Sequence, residues 1–150
     1  MPRNSGGCLC GAVRFEFDGE PRIQAVCHCH MCQRASGSAF MPLLFIDKDA
    51  LTLVQGEPRA FQSSATLIRH FCPNCGSPVF IERTSSSRYG VLVGALDDSS
   101  VFKPTMHICF EASQGWLELA DALPRYEEKP AGMTPTLNYN VATGRVTEKK

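Results

Sequence analysis

Short apolar stretches separated by turn residues run through most of the chain. Val13, Phe15 and Phe17 alternate with Arg14 and Glu16, which predicts a half-buried strand over 13–17. Residues 23–26 predict a second strand that runs into a cysteine cluster. The apolar run over 39–46 contains Pro42 and fits a buried or edge strand. Asp47, Lys48 and Asp49 turn the chain into a strand at 51–54, and Gly56, Glu57 and Pro58 turn it again. Further strands are predicted over 65–71, 78–82, 89–95 and 105–110. Such spacing argues for an all-β or mainly β domain. Only two places read as helical: a short turn at 32–36, and 116–123, which carries helix formers and stops at Pro124. After Lys129 the composition shifts to Pro, Thr, Gly and Asn. The expected organisation is one domain over 1–128 and a C-terminal arm over 129–150, in which 139–141 adds a strand.

Length and charge narrow the function classes. A chain of 150 residues buries a real core without covalent staples. Fifteen basic and fifteen acidic residues cancel, so no broad basic surface for nucleic acid or an anionic membrane is expected. Apolar runs such as 41–46 are too short to span a bilayer. The first seven residues carry no apolar signal segment, and a cytoplasmic location is expected.

Cysteine changes the picture, with eight in the chain. They fall in close groups, Cys8/Cys10, Cys27/Cys29/Cys32 and Cys72/Cys75, with Cys109 apart. Grouping, a domain of sufficient size and no export signal favour reduced metal ligands over a disulfide framework.

In Cys72-Pro73-Asn74-Cys75-Gly76 a tight turn points two sulfurs at one tetrahedral ion, and Gly76 supplies the positive φ such knuckles need. A redox dithiol is the alternative, but it wants a helix opening at the motif, and the following residues read as a strand. Cys8 and Cys10, taken as an extended i, i+2 pair, provide the other half of a closed four-cysteine zinc site. Cys27, Cys29 and Cys32 can cap one face of a second zinc and leave its fourth position for water or substrate. His28, His30, His70 or Cys109 could instead fill that position and make the site inert. Zinc on three thiolates carries a formal charge of minus one, so it is a poor Lewis acid but suits an incoming thiolate. A small thiol is therefore the expected substrate, and an electrophile such as an aldehyde its partner.

The segments GGCLCGAVRF from Gly6, CHCHMCQRASGS from Cys27 and FCPNCGSP from Phe71 resemble the glutathione-dependent formaldehyde-activating enzyme family, which also includes centromere protein V. His107, Ile108, Trp116, Asp121, Leu123 and Pro124 are similar to that family too, so the resemblance runs from residue 6 to about 126. It implies a mainly β fold, a β-tent of small stacked antiparallel sheets with little helix. It implies a structural zinc on Cys8, Cys10, Cys72 and Cys75. A second, catalytic zinc would sit on Cys27, Cys29 and Cys32 and accept the glutathione sulfur. The implied activity is that of a carbon–sulfur lyase joining glutathione to formaldehyde as S-hydroxymethylglutathione.

Glutathione is anionic, so cations and backbone N–H groups near the three-cysteine cluster are candidate contacts: Arg34 and the turn Ser36, Gly37, Ser38. Two other readings use the same residues. One is a non-catalytic zinc-stabilised binding module, and the other a redox sensor that releases zinc when the cluster oxidises.

Overall fold

A computed structural model describes residues 2–128 together with 139–140 and 145–146. The strands are β1 (Arg3–Gly7), β2 (Arg14–Asp18), β3 (Ile23–Cys27), β4 (Met41–Asp47), β5 (Leu51–Gln55), β6 (Arg59–Gln62), β7 (Leu67–Phe71), β8 (Pro78–Arg83), β9 (Arg88–Leu92), β10 (Met106–Ile108), β11 (Tyr139–Asn140) and β12 (Arg145–Val146). The α-helix α1 spans His30–Ser36. One sheet has the order β1-β2-β5, a second β10-β3-β4-β9-β8-β7-β6, and β11 pairs with β12.

The mainly β expectation holds: among the described residues there is one α-helix, and besides the β11–β12 pair there are two stacked sheets. The ladders are antiparallel except that β10 runs parallel to β3, setting Ile108 beside Cys27. Pro42 lies near the start of β4, opposite Val26 and before the pairing with β9 begins at Leu43, so its missing N–H interrupts no ladder on that side. The two large sheets meet through alternating residues. Phe15 and Phe17 of β2 are buried against a core that includes Met41, Leu44, Ile46, Val79 and Val91. Phe15 meets Phe80 edge to face, with ring centres 6.3 Å apart. Gly6 allows this closeness: a Cβ there would lie 2.3 Å from the Ala95 carbonyl oxygen and 2.6 Å from the Phe15 ring.

Three expectations need correction. Residues 116–123 form no helix; they are a turn followed by irregular chain. The Asp121 side chain accepts from the Leu123 N–H at 3.0 Å, and Arg125 donates to the Leu119, Asp121 and Leu123 carbonyls, so side chains meet the backbone groups that a helix would have paired. Cys8 and Cys10 are not an extended pair but lie at a turn, where Gly11 N–H bonds the Cys8 carbonyl at 3.2 Å. The chain beyond Ile108 leaves the strand at Cys109, whose φ of 53° opens a 3-10 turn over Phe110–Ala112.

β1 and β6 were not foreseen. β1 is rich in Gly, Asn and Ser, and β6 is exposed throughout. Most of the expected arm at 129–150 lies outside the described residues, including Val141 of the predicted strand.

Candidate metal centre

Two hairpin-like turns build the first cysteine group. The loop between β1 and β2 carries Cys8 and Cys10, and the loop between β7 and β8 carries Cys72 and Cys75. Gly76, at φ 77°, closes the second loop by donating its N–H to the Cys72 carbonyl at 2.8 Å. All four sulfurs lie within 4.8 Å of one another. Cys10 Sγ is 3.6 Å from Cys8 Sγ and 3.8 Å from Cys72 Sγ. A tetrahedral ion about 2.3 Å from each sulfur requires edges of about 3.8 Å, so the donor set fits one.

Donors surround these sulfurs. Val13 N–H reaches Cys8 at 3.2 Å, and the Asn74 side-chain amide reaches Cys10 at 3.2 Å. Bonds from Ser77 and from the Cys10 backbone hold the Cys75 thiol down at about 5. Cys75 is thereby held in the thiolate form that a metal takes.

The second group sits where β3 runs into α1. Cys27 ends β3, Cys29 is the N-cap of α1, and Cys32 lies in its first turn. The Cys29 sulfur accepts from the Cys32 N–H at 3.2 Å, which is what an N-cap side chain does for the unpaired amides of a helix start. Gly37, left-handed at φ 67°, closes the other end on the Gln33 carbonyl. The three sulfurs lie within 4.8 Å of one another and are buried, none more than 5% exposed.

Their electrostatics differ from the first group. Bonds from Cys109, Cys29 and Cys32, with burial, push the Cys27 thiol well up. For Cys32 the bond to Cys27 pulls down, but the bond to Cys29 and burial outweigh it and leave it at about 12. Cys27 and Cys32 so placed stay protonated unless a cation joins the group, and the set can hold one.

Of the four side chains weighed as a fourth ligand, the three histidines go elsewhere. Among the described residues none of the four joins the three sulfurs within 4.8 Å. His70 stacks on Phe80 and bonds Glu82 at 3.1 Å. His30 lines a polar cleft beside α1. His28, fully buried, places Nε2 2.9 Å from His107 Nδ1, and His107 Nε2 lies 3.0 and 3.2 Å from the Asp121 carboxylate. Because a carboxylate accepts, the His107 proton sits on Nε2, and His28 Nε2–H then donates to His107 Nδ1. Burial above all, with His107 and Arg125 as neighbours, lowers His28 to about 4, so it is neutral at pH 7. Cys109 is buried with its thiol bonded to Cys27.

The expected substrate contacts divide. Arg34, Gly37 and Ser38 line a cleft of about 410 Å³ with His30, Gln33 and Trp116. Ser36 does not line it; its hydroxyl donates to the Cys32 carbonyl at 2.7 Å and accepts from Ser38 N–H. Sequence reasoning missed the wall of this cleft: Trp116 Nε1 donates to Gln114, and Gln114 to Gln33, which in turn donates to the His28 and Ala112 carbonyls. It also missed Arg69 and Arg83, whose signal is a charged residue at an inward position of an alternating strand.

The profile of the family described as glutathione-dependent formaldehyde-activating enzyme matches residues 3–112. An uncharacterised lyase of Schizosaccharomyces pombe is 27% identical over 112 residues, covering 75% of this chain and 77% of its own. A Halomonas elongata protein named for glutathione-dependent formaldehyde activation is 29% identical over 129 residues, covering 76% of this chain and 79% of its own. The crystal structure of a Rhodobacter sphaeroides protein, 28% identical, superposes with a TM-score of 0.53 and covers 62% of this chain and 87% of that one.

Proposed function

The chain belongs to the glutathione-dependent formaldehyde-activating enzyme family, and from that premise we propose that it joins the glutathione sulfur to formaldehyde at the three-cysteine group. Cys8, Cys10, Cys72 and Cys75 would hold a structural zinc. Cys27, Cys29 and Cys32 would hold a second zinc, which supplies an electron-rich position for a substrate thiolate. In the reaction a carbon–sulfur bond forms, the carbonyl π bond breaks, and the thiol proton ends on the former carbonyl oxygen. The product is S-hydroxymethylglutathione.

The chain's own residues contribute binding and enclosure. Arg34 offers a cation to a glutathione carboxylate in the polar cleft, with the Gly37–Ser38 backbone and Trp116 beside it. Gln33 anchors α1 to the loop at 112–114 and so keeps Cys32 and the cleft in one rigid unit. Burial of the three sulfurs excludes bulk water from the reacting atoms.

The observation that carries this reading is the number of donors. The first group has four sulfurs within 4.8 Å and is complete; the second has three. The test is a metal count with a glutathione titration of the cobalt-substituted protein. Two metals per chain, and a change in the cobalt spectrum on adding glutathione, are expected. A spectrum indifferent to millimolar glutathione would sink the proposal.

One observation favours a second reading, the non-catalytic module: the Cys109 thiol is already bonded to Cys27. If Cys109 were a fourth ligand, Cys109→Ala would change the cobalt spectrum of the glutathione-free protein.

A further inference from the structure

A cavity of about 550 Å³ lies beside α1, with Arg34 on the border between it and the polar cleft. Its walls are mostly apolar, including Met31, Met41, Phe61, Phe71 and Phe80, and Arg69 lies among them. Formaldehyde is close to water in size, and a water's share of liquid volume is about 30 Å³. The cavity is far too large for that electrophile alone.

The cation at this cavity is built in. Leu67 pairs with Arg83 and Arg69 with Ile81 across β7 and β8, so these four residues share one face of the sheet. Arg69 Nε donates to Ser63 Oγ at 3.1 Å, while its Nη2 is buried without a hydrogen-bond partner. Arg83 Nη1, diagonally across the same ladder, is also buried without one. Two guanidinium groups side by side with unfilled donors call for an acceptor, and an anion suits their charge, since buried polar groups are otherwise paired. Once its thiols ionise around a cation, the cysteine group pulls on Arg83 and, through Cys32, on Arg69 as well. Of the two, Arg69 lines the cavity and Arg83 does not. Arg69 is tied to the cysteine group through Ser63, whose hydroxyl donates to the sulfur of Met31, the residue before Cys32, at 3.7 Å.

Resting on the activity proposed above, we infer that this cavity takes the carbonyl reactant, as an aldehyde with an apolar body and one carboxylate, the carboxylate bound by Arg69. Glutathione fits the cavity poorly, because its two carboxylates, ammonium and amides need more polar partners than these walls hold. The polar cleft has them. A planar carboxylate matches the guanidinium fork, and the apolar remainder lies against Met31, Phe61 and Phe71. The chemistry is the same addition: sulfur bonds to the carbonyl carbon, and the thiol proton moves to the oxygen.

The test is calorimetric binding of 4-formylbenzoate and 4-formylbenzamide to the zinc-loaded protein, two aldehydes alike in shape but not in charge. The acid is expected to bind at least tenfold more tightly. Arg69→Met is expected to abolish that ratio and Arg69→Lys to keep part of it. A ratio within twofold in the unaltered protein, or one that survives Arg69→Met, overturns the inference; the unaltered protein alone decides if the variants do not fold. The cobalt spectrum with glutathione separates the two proposals. A lost ratio with that response intact removes only the carboxylate site, and a lost response with the ratio intact removes the activity.

Discussion

His28 Nε2 and His107 Nδ1 lie 2.9 Å apart inside the protein, and this bond ties the cysteine-bearing end of β3 to the strand beside it. His28 is flanked by Cys27 and Cys29, so its ring position is also theirs. Phe40 and Phe110 pack against the ring with centres 5.7 and 5.0 Å away. Truncating His107 would leave His28 Nε2–H buried and unpaired, a loss of about 1–3 kcal/mol. His107→Ala is expected to lower the urea midpoint clearly. Asp121→Asn should do so less, because position 121 is partly exposed and the amide keeps an oxygen that accepts from His107 Nε2–H. Equal effects of the two changes would contradict the role given to this bond.

The two cysteine groups should respond differently to mutation. Cys75 clasps two distant loops, so Cys75→Ser is expected to cost more than about 4 kcal/mol, in the range where metal loss places a variant. Cys29→Ser should remove turnover and one metal per chain while the far-ultraviolet circular dichroism stays native. Metal analysis and thermal melts of the two variants check both statements.

Asp97 gives a pH dependence whose sign is fixed. Arg14 grips its carboxylate through both guanidinium nitrogens and Ser5 donates at 2.6 Å, which holds it at about 2 against an ordinary 3.8. A depressed carboxyl stabilises above its unfolded value and loses that contribution as pH falls from about 4 to 2. Asp97 is 44% exposed, so the effect is discounted to below about 1 kcal/mol. Denaturant midpoints at pH 6 and pH 2.5 should converge more for Asp97→Asn than for the unaltered protein.

Gly6→Ala tests the contact between the two large sheets. The added methyl would overlap the Ala95 carbonyl and the Phe15 ring, so β1 or the 3-10 turn over Val93–Ala95 must move. A loss of about 1–3 kcal/mol is expected from such overpacking. An unchanged melting temperature would show that β1 yields without cost.

How much of this was legible in the chain depends on the range of each interaction. The runs at 13–17, 23–26 and 51–54 became strands close to their predicted places because alternation and turn residues act locally. β1 and β6 were not legible, since Gly, Asn, Ser and exposed positions become strand only when a neighbour offers its edge. Residues 116–123 failed in the opposite sense: good helix formers lost to Arg125 and Asp121, which bind that backbone.

The cysteine spacing was enough, by itself, to group seven sulfurs as four and three, because tight turns and one helix cap confine the ligands of each cluster. The resemblance then supplied the family. Only the tertiary structure decided which groups surround those sulfurs. Gln33, Gln114 and Trp116 meet across 81 residues or more, or across a turn, and Arg69 meets Arg83 through strand register. No local signal carries such contacts, for they exist only after the sheets have stacked and water has left between them.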